Sequence, residues 1–193
     1  MASTDPTEPL PPYAFVPGGP WPHPISSPQG HSFGRTASKI ELSDRDRGSR
    51  SRAFLRGVEL FNAGYYWEAH EAWEGLWHAY GRHGASADLL KALIKLAAAG
   101  LKVREGREHG VCTHAGRAAE LFASVRKQVG RHHLGLDLDQ WIERARQVAA
   151  NPPHDPSPAG AAVSRVFTFQ LEIDTSPGGA QVHGQGRQPP LGA

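Results

Sequence analysis

The chain has 193 residues, one cysteine and a formal charge of +2, with 21 Lys and Arg against 19 Asp and Glu, and 11 His. A lone Cys112 allows no internal disulfide, and the near balance of charge argues against a nucleic-acid surface, so the expected setting is a reducing, cytoplasmic one. The N-terminus lacks the basic and apolar regions of a signal peptide, and the longest apolar stretch, Ala92 to Val103, is broken by Lys95 and Lys102, which argues against a membrane span.

Glycine and proline make up about a fifth of the chain and gather at its two ends, leaving one core-forming stretch of roughly 100 residues, enough for a single domain. Residues 1–34 are too rich in Pro and Gly for a long helix, yet Tyr13, Phe15, Val16, Trp21, Ile25 and Phe33 are interleaved with the prolines. A flexible linker would be more polar, so this segment reads as an arm packed on the domain. Residues 35–50 form a polar joint whose Arg45, Arg47 and Arg50, with Arg52 and Arg56 beyond, are diluted by Asp44 and Asp46.

From Ser51 a helical period begins, with Phe54, Leu55, Val58 and Phe61 on one face and Gly64 as its stop. A second helix runs from about Tyr65 to Tyr80 and is ended by Gly81-Arg82-His83-Gly84. Ser86 is placed to cap a third helix, whose apolar stripe is Leu89, Leu90, Leu93, Ile94, Ala97 and Leu101 and which Gly106 closes. Val111, Ala115, Ala118, Leu121, Phe122, Val125 and Val129 mark a fourth, closed by Gly130. Asp137 and Gln140 have capping-box-like spacing before a fifth, with Leu138, Trp141, Ile142, Ala145 and Val148, which Pro152 and Pro153 terminate. Residues 51–150 are therefore expected to form an all-α bundle of about five helices with short connections. Residues 151–193 read as linker and tail, mostly disordered, with one possible extended segment over 163–173.

The second helix carries the unusual residues. At about 100° per residue, Tyr66, Ala69, Trp73, Leu76, Trp77 and Tyr80 share one face, expected to be buried. His70 and Glu74 lie at its edge at i and i+4, Trp67, Glu71 and His78 continue the same shoulder, and Glu68 is expected to point into solvent. Three kinds of chemistry fit. His70, Glu71, Glu74 and His78 could hold a divalent metal, since imidazole and carboxylate both suit such ions. Glu74 could orient His70 as a general base. Trp73 and Trp77 with His70, Glu71 and Glu74 could line a pocket for a small ligand or a protein partner. Against all three stands an ordinary reading, in which tryptophans at helical spacing are core and a His–Glu pair is an internal hydrogen bond.

Known metal signatures do not match. His70-Glu71-Ala72-Trp73-Glu74 has Glu where the zincin pattern needs a second His. The Glu-x-x-His pairs of di-iron bundles are missing, with Trp67 standing three residues before His70, and Gly106 and Val111 three before His109 and His114. In the arm, His23 and His31 could reach His70 and Glu74 as further ligands only if that segment folds over the second helix.

The run Phe61-Asn62-Ala63-Gly64-Tyr65-Tyr66-Trp67-Glu68-Ala69-His70-Glu71-Ala72-Trp73-Glu74-Gly75-Leu76-Trp77 resembles the signature of the domain-of-unknown-function 309 family. Leu93-Ile94-Lys95-Leu96-Ala97-Ala98-Ala99 looks like that family's following helix, with Lys95 where Gln is expected, and the resemblance covers about residues 50–130. The segments Pro11–Gly18, Pro22-His23-Pro24 and Gly30-His31-Ser32 are similar to an arm of some longer members. The resemblance implies a helical bundle from the cytoplasm of a bacterium or archaeon. It brings no reaction, substrate or cofactor, and it marks Asn62, Gly64, Glu68, His70, Glu71, Glu74 and Trp77. Three functional expectations remain: a binding or interaction module on this shoulder, a metal-assisted or acid–base hydrolase centred on His70 and Glu74, and a structural homodimer.

Overall fold

In a computed structural model, which describes residues 8–35, 42, 51–157 and 160–175, five helices follow one another along the chain. Helix α1 spans Arg52–Ala63, and Ser51 caps it, its hydroxyl accepting the Phe54 N–H at 3.4 Å. Gly64 ends it at φ 93°, where the Ser164 carbonyl also leaves no room for a side chain. Helix α2 is Tyr66–Ala79, α3 is Ala85–Arg104, α4 is Glu108–Val129 and α5 is Leu138–Ala150. Each helix packs against the next in sequence, α1 on α2 through to α4 on α5. Short connections make that the inexpensive arrangement, because loop closure adds little entropy.

The start of α3 corrects the sequence reading. Gly84, at φ 85°, holds the N-cap position, and no side chain caps the helix. Ser86 lies inside the first turn, and its hydroxyl meets His133 Nε2 at 3.1 Å instead. At α5 the expectation holds: the Asp137 carboxylate accepts the N–H groups of Asp139 and Gln140 at 3.1 and 3.4 Å. A small antiparallel hairpin precedes it, β1 (His132–His133) paired with β2 (Leu136–Asp137). Its two turn residues, Leu134 and Gly135, both have positive φ, as a tight hairpin of this hand requires. Strands this short leave no alternating pattern, so the sequence carried no sign of them.

Leu89, Leu90, Leu93 and Leu96 of α3 are fully buried among Phe54, Phe61, Trp73, Leu76, Phe122 and Trp141 from the other helices. Two extended segments close the outside. Residues 161–175 cross α1 and α2, where Phe167 stacks on Phe61 at 5.6 Å and Val166 N–H donates to the Tyr66 hydroxyl at 2.9 Å. Asn62 fixes this segment from both sides, donating to the Leu171 carbonyl at 2.9 Å and accepting the Leu171 N–H at 2.7 Å. The second segment, 8–35, lies over α1 and α2 and meets the first where Ala14 N–H donates to the Ala162 carbonyl at 2.7 Å. The polar joint apart from residues 35 and 42, and the expected disordered stretch after Thr175, lie outside the described residues.

Candidate functional site on the second helix

The two flanks of α2 face different surroundings. On one flank, the arm lies across the helix. Glu68 is buried there, with a relative exposure of 7 %, which overturns its expected place in solvent. A helical wheel shows which residues face away from the bundle, but it does not show that another segment covers them. Phe15 N–H donates to Glu68 Oε1 at 2.9 Å, and His31 Nε2 lies 3.2 Å from the same oxygen. Burial holds the His31 imidazole below its ordinary pKa, so the neutral ring donates through Nε2 while Nδ1 takes the Ser32 hydroxyl proton at 3.0 Å. Desolvation likewise pushes the Glu68 carboxyl up to about 7, against the pull of the Phe15 N–H. With its carboxyl titrating at about 7, Glu68 is only partly ionised near neutral pH and faces a neutral imidazole, so the contact is not a full ion pair and avoids the desolvation penalty of two charges. Glu68 Oε2 is buried with no hydrogen-bond partner among the described residues.

His23 is placed by the same arm, but against aromatic rings: its imidazole lies 4.8 Å from Phe15 and 5.5 Å from Trp67. His23 Nδ1 accepts the N–H groups of Ile25 and Ser26, both at 3.2 Å, and so shapes the arm's own turn. The conditional meeting of His23 and His31 with His70 and Glu74 is thus corrected. The arm does fold over α2, but on the Trp67–Glu68 side, and its histidines spend their nitrogens on local turns and on Glu68.

The other flank is open. His70 Nδ1 lies 3.4 Å from Glu71 Oε1 and 3.9 Å from Glu74 Oε2, and all three side chains are partly exposed, at 31, 38 and 42 %. One ligand atom from each lies within 4.8 Å of the others, and this is the only such group of three His, Cys, Asp or Glu residues among those described. His23 and His31 do not belong to it, and neither does His78, expected as a fourth ligand, whose Nδ1 accepts the Arg82 Nε–H at 3.0 Å. The helix makes this geometry directly, since Glu74 stands at i+4 from His70 and at i+3 from Glu71 and so shares an edge with each. His114 of α4 faces the same region closely enough to feel the charge of His70. Burial first, then the charges of Lys95 and Lys102, hold its imidazole below the ordinary value and hence neutral. The sequence reading weighed His114 only for a Glu-x-x-His pair, so its approach from a different helix had no signal.

The tryptophans divide. Trp73 is fully buried, its indole N–H donating to the Phe54 carbonyl at 3.3 Å, and a side chain at Gly57 would run into the ring. Trp73 is therefore core, and its expected place in a ligand pocket is corrected. Trp77 is half-buried, with its ring against His78 at 5.2 Å and the Arg82 guanidinium 5.6 Å from its centroid. The large exposed apolar residues among those described, Leu10, Ile25 and Phe33, all belong to the arm.

An all-helical domain with a His–Glu–Glu edge on one helix is the class that this fold and site define. Residues 54–113 match the family model described as Domain of unknown function (DUF309), the family whose signature the run on α1 and α2 resembles. No curated protein matches the chain significantly. No helix among the described residues is long and apolar enough to cross a membrane.

Proposed function

We propose that the protein is a helical binding module whose open α2 flank holds a divalent cation through His70, Glu71 and Glu74, and presents that ion to a small oxygen-bearing ligand. The observation that carries this reading is the convergence of one imidazole and two carboxylates within 4.8 Å on an accessible edge. A mixed nitrogen and oxygen set suits zinc or manganese better than calcium, which takes oxygen alone. Three ligands from one helix edge leave coordination positions open, as a site that binds or activates something requires. The fixed aromatic core behind the edge, with Trp73 immobile, would keep the ligand set in register.

Hydrolysis is the second reading, because an ion in this position lowers the pKa of a bound water. What favours it is the presence of two carboxylates beside one imidazole: one can ligate while the other takes the proton. A titration of the tag-free protein with Mn²⁺, followed by paramagnetic broadening in the NMR spectrum, tests the shared premise. Selective loss of the His70, Glu71 and Glu74 signals at low stoichiometry is the expected outcome. Uniform weak broadening over the whole acidic surface would sink it.

A further inference from the structure

The flank of α2 that faces the arm carries an independent site. A cleft of about 390 Å³ lies between the arm and helices α1 and α2, lined among others by Leu10, Leu60, Trp67, Glu68, Arg35 and Arg56. That volume suits a small metabolite. The walls do not depend on a ligand to stay in place. Tyr65 donates its hydroxyl proton to the Pro11 carbonyl at 2.8 Å, Tyr13 donates to the Pro22 carbonyl at 2.9 Å, and Glu68 takes the Phe15 N–H. The Glu68 side chain is more than nine-tenths buried, and its Oε2 has no partner among the described residues. An unmet buried acceptor is costly, and Glu68 lines the cleft, so its carboxylate calls for a donor beyond the described residues.

The remaining charge in the cleft says which donor. Arg35 is 69 % exposed by its side chain, with a long 3.4 Å contact to Glu8. Arg56 is more committed, its guanidinium donating to the Glu8 and Pro9 carbonyls at 2.8 and 2.9 Å and to Glu59 at 2.6 Å. Glu8 lines the cleft too, its carboxylate 3.4 Å from Arg35 and 4.0 Å from Arg56, so a bare amine would meet two guanidinium groups beside Glu68, and a bare carboxylate would meet Glu8 and Glu68 beside the arginines. A zwitterion satisfies both ends at once. We propose that this cleft binds a small zwitterion of the α-amino-acid class, its ammonium donating to Glu68 Oε2, its carboxylate turned to Arg35, and an apolar side chain laid against Leu10, Leu60 and Trp67. The site does not depend on the cation reading of the opposite flank.

The test is calorimetric titration of the full chain with L-leucine, at about pH 8 so that the carboxyl is ionised, in the presence of EDTA so that the metal reading plays no part. Isoamylamine and 4-methylpentanoate, which each keep one charged end, are titrated beside it. Leucine should bind, and each half-molecule should bind at least about tenfold more weakly. Arg35→Ala should remove the advantage of leucine over isoamylamine while the helical circular dichroism stays unchanged. Glu68→Gln, which retains an acceptor for Phe15 N–H and His31, should weaken leucine by more than about tenfold. An intact Phe15 amide protection in that variant shows that the arm is still docked. No heat with leucine, equal binding of leucine and isoamylamine, or undiminished binding by Glu68→Gln with the arm docked would each overturn the proposal.

Discussion

The two flanks of α2 carry similar residues and treat them oppositely. Glu68 and His31 on the arm side are buried and hydrogen-bonded, with a neutral imidazole beside a carboxyl that titrates at about 7. His70, Glu71 and Glu74 on the open side are one-third to two-fifths exposed and touch mainly one another. A carboxylate beside an imidazole is therefore not one kind of feature. Covered by an arm, the pair becomes a latch whose strength depends on its protons. Left in water, it costs the fold little and stays available to an ion.

The contrast can be broken most forcefully at the helix's third face. Trp73→Ala removes a fully buried ring packed on α1 and should cost about 3–5 kcal/mol in urea unfolding. A loss below about 1 kcal/mol would mean the indole is not the wedge between α1 and α2 that its zero exposure indicates. Next comes the pH dependence of the covered flank. The folded Glu68 carboxyl titrates at about 7 against 4.5 when unexposed to burial. Between those values the folded state holds the proton more tightly than the unfolded chain. Its contribution is therefore full below pH 4.5 and is lost as pH rises through about 7, by up to about 3 kcal/mol. His31 works in the opposite direction, adding stability as pH rises towards 6.5, because burial lowers its folded pKa. The difference in stability between wild type and Glu68→Gln isolates the carboxyl, and it should shrink steadily from acid to neutral pH. A difference that stays flat would place Glu68 in a wetter surrounding.

Smaller still is the effect of loosening the latch from the arm. His31→Ala leaves Glu68 Oε1 with the Phe15 N–H alone and should cost about 1 kcal/mol, with faster amide exchange confined to the arm. Exchange that speeds up equally in α1 and α2 would show that the arm is part of the core rather than a cover. On the open flank, His70→Ala with Glu74→Ala should move the unfolding free energy by less than about 0.5 kcal/mol, as exposed pairs do.

What the sequence made legible follows from which forces are local. Gly64, Asp137 and the apolar stripes of the helices act within a few residues of themselves, and each was readable. Trp73 was readable as core from its helical position, and only its second role, as a ligand wall, failed. Glu68 was misplaced because its burial comes from Phe15 and His31, 53 and 37 residues away. The same is true of Ser86, which looked like a cap but serves His133, 47 residues further on. Asn62 shows the limit from the other side. Its place in the family signature was visible, but its partner, the Leu171 backbone 109 residues away, was not. The cluster on the open flank, by contrast, needs only a helix, and so the grouping of His70, Glu71 and Glu74 is legible in the sequence.

The most direct test of the open flank is elemental analysis of tag-free protein beside the His70→Ala, Glu74→Ala double variant. The account predicts about one zinc or manganese per chain in the wild type, and none in a variant that unfolds at the same urea concentration. Metal-free wild-type protein that still takes up no zinc or manganese on titration, or a variant that keeps its metal, would contradict it.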